Sequence, residues 1–168
     1  MQKTKKPKTW MKLDNAALIY PATMNRNWTA LFRLSATLTE PIDEDILDVA
    51  QKRTLRRLPW FAYKLKRGLF WFYLEHSDDL PKIEQDVGNP CVRMRLSENE
   101  GHCMRVRYYQ NRIAVEFFHV LTDGTGGLIF LQTLVAEYLR LKYGAQIPHG
   151  DRVLDCSEEP TAAETEDS

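Results

Sequence analysis

Residues 116–132, EFFHVLTDGTGGLIFLQ, hold the residue types most able to do chemistry: a histidine, an aspartate four positions on, and three glycines in the next four positions. A histidine side chain changes charge near neutral pH, so His119 can take up and release a proton under physiological conditions. Strand alternation sets Ile113, Val115, Phe117 and His119 on one face and Ala114, Glu116, Phe118 and Val120 on the other. His119 therefore ends an apolar row, near the mouth of whatever that row packs against. A neutral imidazole so placed is a good general base. Asp123 has two roles open to it. It can hold the imidazole, as in a catalytic triad, or it can turn away, pair with an arginine and fix the turn. Gly124, with Gly126 and Gly127, admits backbone angles that other residues resist and lets a packing element or a ligand come close. The spacing is not G-x-G-x-x-G and no βαβ unit precedes it, so a dinucleotide-binding loop is excluded.

The remaining titratable residues form no comparable group. His76 precedes Ser77-Asp78-Asp79, His102 follows Gly101 and His149 follows Pro148, so each reads as a loop or linker residue. Cys91, Cys103 and Cys156 are odd in number and lie in no C-x-x-C pair, which suits free thiols in a reduced, cytoplasmic protein. No further ligands stand near the His102-Cys103 pair to complete a zinc set, so no metal is expected. Arg105 and Arg107 share a strand face, and either can pair with Asp123 or Glu116. The aromatic set Trp60, Phe61, Tyr63, Phe70, Trp71, Phe72 and Tyr73 suits core and sheet surface better than a stacking platform for nucleic acid.

The elements that must position His119 are legible from pattern and punctuation. TALFRLSATL alternates, with Phe32, Leu34, Ala36 and Leu38 on one face, and reads as a half-buried strand. A helix follows over 43–58, capped by Asp43, with Glu44 and Asp45 at its positive end, Ile42 stapled onto Leu47, and Pro59 as its stop. WFAYKLKRGLFWFYLE reads as two aromatic-rich strands around an Arg67-Gly68 turn, and DDLPKIEQDVGNP as loop or a short helical turn. A second hairpin turns at Gln110-Asn111. The helix after the glycines carries Leu128, Leu131, Leu134, Val135 and Tyr138 as its stripe, with Arg140 and Lys142 in its last turn and Gly144 ending it. This order predicts an α+β fold: a two-layer sandwich with a mixed, largely antiparallel sheet and helices on one face.

The totals bound the function. The chain has 168 residues, 43% of them hydrophobic, enough for one packed domain over residues 1–150. Lys+Arg and Asp+Glu are equal at 23 each, which argues against a general nucleic-acid binder. No apolar run is long enough to span a bilayer and no apolar signal core follows the first lysines, Lys3 to Lys8. Residues 151–168 are acid-rich from Asp155 onward and read as a linker or tail.

HVLTDG at 119–124 resembles the H-x-x-x-D-G motif of the coenzyme A-dependent acyltransferases, the family of chloramphenicol acetyltransferase, peptide-synthetase condensation domains and alcohol acetyltransferases. WMKLDNAALIYPA at 10–22 is similar to the opening of bacterial alcohol acetyltransferase-like proteins. The 43–58 helix with Pro59-Trp60-Phe61 looks like that family's first helix and R-x-P junction. The resemblance covers nearly all of residues 9–157. It implies that His119 takes a proton from an acceptor hydroxyl or amine while the acceptor attacks an acyl thioester. It implies a structural role for Asp123, through an arginine, and for Gly124 in forming the turn. Phe118 stands where many relatives have a second histidine. Acyl-coenzyme A is the implied co-substrate, with an alcohol the nearest acceptor, and Asn25, Arg26, Asn27 and Trp28 could line the acceptor pocket. Alcohol acetyltransferase and condensation-type relatives pair two lobes around a tunnel. Residues 1–150 look like the first lobe and 151–168 like the start of a linker toward the second. Three arrangements stay open: the first lobe of an acyltransferase, copies that complete each other's sites, and a non-catalytic interaction lobe.

Overall fold

The computed structural model describes residues 10–12, 30–69, 72–86, 88–91, 94 and 99–161. In chain order the elements are β1 (Trp10–Lys12), β2 (Leu31–Thr37), α1 (Glu44–Arg57), β3 (Lys64–Arg67), β4 (Phe72–Glu75), β5 (Ile83–Gln85), β6 (Met104–Tyr109), β7 (Arg112–Phe118) and α2 (Gly124–Tyr143). Four strands form a mixed sheet in the order β2-β7-β6-β5, antiparallel except for the β5–β6 pair. The α+β sandwich is therefore the architecture, with both helices on one face of this sheet. The principal core shows it: Leu47, Ala50 and Leu55 of α1 and Phe130, Leu131, Leu134 and Tyr138 of α2 close over Met104, Val106, Ile113, Val115 and Phe117.

Each helix starts and stops where its capping residues dictate. The Asp43 side chain accepts the Ile46 N–H at 3.1 Å, Glu44 and Asp45 face the positive helix end, and Arg56 and Arg57 the negative one. Gly144 ends α2 in the left-handed conformation at φ 65°, its N–H donating to the Arg140 carbonyl. The two helices are tied by the fully buried Tyr138, whose hydroxyl accepts the Asp43 backbone N–H at 2.9 Å.

Four details depart from the expectations. Residues 59–62 make a short 3-10 turn, so the aromatic hairpin starts only at Lys64. That hairpin joins β1 in a separate three-stranded sheet, order β1-β4-β3, over a second small core of Ala30, Tyr63, Leu65, Leu74, Cys103, Phe118 and Val120. Residues 83–85 form a strand rather than loop, because they find the free edge of β6 in parallel register. The α2 stripe centres on Phe130, which is fully buried, while Leu128 is half-buried. Phe70, Trp71 and the 25–28 segment lie outside the described residues.

Strand β7 thus separates two cores. Ile113, Val115 and Phe117 enter the helix-side core, whereas Phe118 with Val120 just beyond it enters the other. His119 follows directly after its last residue.

Candidate functional site

His119 is half-buried at the end of the helix-facing row. Its backbone N–H donates to the Ala30 carbonyl at 2.9 Å, which extends the β2–β7 ladder one step past Leu31↔Phe118. Ala30 sits at φ 48°, in the left-handed region that an alanine rarely adopts. Phe32 of β2 faces Phe117 in register and is diagonal to His119, a cross-strand relation that aromatic side chains can bridge. The Phe32 and His119 ring centroids are 4.5 Å apart with 38° between the planes, and Phe32 also stacks on Phe117 at 5.3 Å.

The turn is closed by Asp123. Its backbone is extended and its carboxylate accepts the Gly126 N–H at 2.8 Å, while its carbonyl accepts from Gly127 at 3.0 Å. Asp123 is the N-cap of α2, satisfying donors that the first helical turn leaves without partners. The arginines weighed as its partners are engaged elsewhere. Arg105 pairs with Glu116, and Arg107 with Glu84 and Asp86.

The glycines divide by position. Gly124 stands at the turn, the place the motif gives it. It has no left-handed φ, and a Cβ there would meet nothing within 4 Å. Small size is required at the next two. A Cβ on Gly126 would lie 2.2 Å from the Thr122 hydroxyl oxygen, and one on Gly127 would lie 3.0–3.1 Å from the Phe32 and Phe117 rings. Gly124→Ala is therefore expected to leave stability within about 0.5 kcal/mol. Gly127→Ala should destabilise by about 1–3 kcal/mol, because two packed rings must give way. Urea titration of both variants checks the contrast.

The opposite face of the sheet carries charge. Arg33, Glu116 and Arg105 form one row across β2, β7 and β6. Glu116 is fully buried and accepts from Arg33 at 3.0 Å, Arg105 at 2.6 Å and the Cys91 N–H at 2.8 Å. Burial alone would raise its carboxyl; the Cys91 N–H and the two guanidiniums outweigh that and hold it below the usual range. Asp86 lies beside this row, bonded to Arg33 and, at 3.1 Å, to Arg112. The Arg33 hydrogen bond, against burial and with help from Arg112, likewise keeps Asp86 low.

The other candidates are apart from this centre. Burial pushes the Cys103 thiol up to about 12 and the Cys156 thiol to about 11, and it raises Cys91 too, so none of the three is an activated nucleophile. His102, just past the Gly101 turn, is buried and sits beside Lys64 at the seam of the two sheets. His76 and His149 stand near Asp78 and Asp155. Among the described residues no cluster of histidine, cysteine or carboxylate could hold a metal ion, and no helix is long and apolar enough to cross a membrane. An open cleft lies between α1 and residues 80–83, lined by Glu44, Asp48, Gln51, Lys52 and Lys82, far along the sheet from His119.

Two residues central to this site, Phe32 and Glu116, were visible only as members of alternating rows. The signal for Asp123 was present in its place one residue before a helix, a preferred capping position.

Among solved structures, the fold is shared with the starter condensation domain of rhizomide synthetase, at TM-score 0.65 and 11% identity over 86% of this chain. It is shared too with the first condensation domain of the calcium-dependent antibiotic synthetase, at 0.63 and 13% identity over 85%, in complex with a substrate analogue. A third neighbour is polyketide synthase associated protein 5 from Mycobacterium tuberculosis, at 0.58 and 16% identity over 82%. A form of the rhizomide starter domain is bound to C8-CoA, and another to C8-CoA with Leu-SNAC. The chain spans 41%, 40% and 35% of the first three neighbours' lengths. No family model and no curated protein gives a match. The fold is that of a condensation-domain, chloramphenicol acetyltransferase-like lobe.

Proposed function

We propose that this lobe supplies the general base of an acyl-transfer site, with acyl-coenzyme A as donor and an alcohol or amine as acceptor. The carrying observation is an imidazole at the end of an apolar strand, immediately before a capped turn, in a fold whose neighbours include a domain bound to C8-CoA. His119 takes the acceptor proton as the acceptor oxygen or nitrogen bonds to the thioester carbonyl carbon. When the tetrahedral adduct collapses, the carbon–sulfur bond breaks and the thiolate leaves with that proton. The acyl group, acetyl as the simplest case, ends on the acceptor. Asp123 acts on the site by capping α2 rather than by proton transfer.

The facing wall of such a site comes from a second lobe or a second copy of this chain. Asp123 caps α2 and small residues at Gly126 and Gly127 serve the turn itself, which favours one further reading, a non-catalytic interaction lobe that keeps the motif for its turn geometry. Thiol release from acetyl- and octanoyl-coenzyme A with a panel of alcohols and amines separates them. His119→Ala is expected to slow turnover roughly a hundredfold or more. Equal rates in the two proteins would sink the base. Asp123→Asn, which keeps a capping oxygen, should retain most of the rate, whereas a triad aspartate should not tolerate it. Absence of release with every donor and acceptor, even after a second lobe is supplied, favours the interaction lobe.

A further inference from the structure

We infer that Phe32 is the positioning residue of the His119 imidazole, clamped in place by the start of α2 at Gly127; the catalytic consequence rests on His119 being the base. The imidazole directly follows Phe118, the last residue of β7. One side is defined by Phe32, whose ring centroid is 4.5 Å from that of His119. A Cβ on Gly127 would lie 3.0 and 3.1 Å from Cε2 and Cζ of the same Phe32 ring. Among the described residues Phe32 therefore has helix backbone near its edge, Phe117 stacked at 5.3 Å, and the imidazole as its other aromatic neighbour. A ring fixed on two sides restricts the χ2 rotation of the ring lying on its third. The same clamp links the helix start, set by the Asp123 cap, to the ring orientation: a displacement of α2 reaches the imidazole through one side chain.

A general base must keep its nitrogen within hydrogen-bond reach of the acceptor proton, and small misplacements cost large factors in rate. Removing the Phe32 ring should therefore lower kcat while leaving KM near its wild-type value, because Phe32 holds the base and not the substrate.

NMR of the four histidine rings, with the His119 signals assigned by their loss in His119→Ala, tests this on the full chain. Phe32→Leu is expected to shift the His119 ring signals and to lower kcat roughly tenfold to a hundredfold. Gly127→Ala, which presses on the Phe32 and Phe117 rings, should shift the same signals. Phe130→Leu is the control: Phe130 is fully buried and packs on Phe61 and Phe117, so it weakens the core and should leave the His119 signals in place. Unchanged His119 signals in both Phe32→Leu and Gly127→Ala would overturn the assignment, as would an equal shift in Phe130→Leu. The two readings fail separately. Loss of the base role shows as unchanged turnover in His119→Ala, and loss of the Phe32 role as unmoved ring signals.

Discussion

Glu116→Ala is expected to destabilise the chain by about 3–5 kcal/mol, a large share of the stability of a single domain. Glu116 has no exposure to solvent and is the carboxylate shared by Arg33 and Arg105 across three neighbouring strands. Its removal also takes the acceptor from the Cys91 N–H, held at φ 54°. The loss is large because two guanidiniums, with only 13% and 10% of their side chains exposed, cannot recover the charge balance from water. Glu116→Gln keeps an acceptor oxygen and should fall between wild type and Glu116→Ala. Replacing Glu116 and Arg105 together by leucine and methionine should recover much of the stability, since a buried pair exchanged for apolar groups of similar size is often near neutral. Urea midpoints at pH 7 give the comparison. A loss below about 1 kcal/mol for Glu116→Ala, the range of an exposed ion pair, would contradict the account.

Acid should weaken the fold in a window set by His102. Among the described residues neither ring nitrogen of this buried histidine has a partner in hydrogen-bonding geometry. Burial, reinforced by the Lys64 charge, lowers it from 6.5 to about 4, while Glu100, Asp79 and the Ala62 backbone pull weakly the other way. The folded value lies below the unfolded one, so below pH 6.5 the unfolded chain binds a proton that the folded chain refuses. Stability contributed by the neutral ring is complete above about pH 6.5, declines as pH falls, and is spent near pH 4. The total is about 3 kcal/mol, at 1.36 kcal/mol per pH unit. Denaturation midpoints between pH 7 and 4 should follow this curve in the wild type and flatten in His102→Phe over the upper part of the range. Asp86 and Glu116, both held low, add their own losses at still lower pH. A wild-type and a His102→Phe curve with the same slope from pH 6.5 to 5 would remove His102 as the cause.

The sequence carried the local part of the fold more fully than the long-range part. Asp43, Pro59 and Gly144 mark helix ends through backbone chemistry that acts within one turn, and the structure uses them as expected apart from one residue at each end of α1. The Gln110 turn at φ 48° is a similar local event. Strand β5 has three residues and no alternation long enough to read, and its identity comes entirely from β6 in parallel register. The placement of β3 and β4 in their own sheet was hidden for the same reason. At the site, alternation correctly sorted β7 into an apolar face with His119 and an opposite face with Glu116. It left open which arginine meets Glu116, because cross-strand partners depend on register. Gly124 shows a different limit. A motif glycine draws attention by type, whereas the steric requirement falls on Gly126 and Gly127, and only the approach of Thr122, Phe32 and Phe117 reveals it.

The pairing of β2 with β7 has a kinetic consequence. Arg33 and Glu116, opposite each other in the ladder, are 83 residues apart in the chain. Closing a loop of that length costs entropy before any contact repays it, and topologies dominated by such contacts fold slowly. The 104–118 hairpin and α2 are built from local contacts and can form early, yet Ala30 and Phe32 reach His119 only when this long closure is made. The candidate site is therefore a late product of folding, and the amide of His119, bonded to Ala30, should gain exchange protection among the last in a refolding time course.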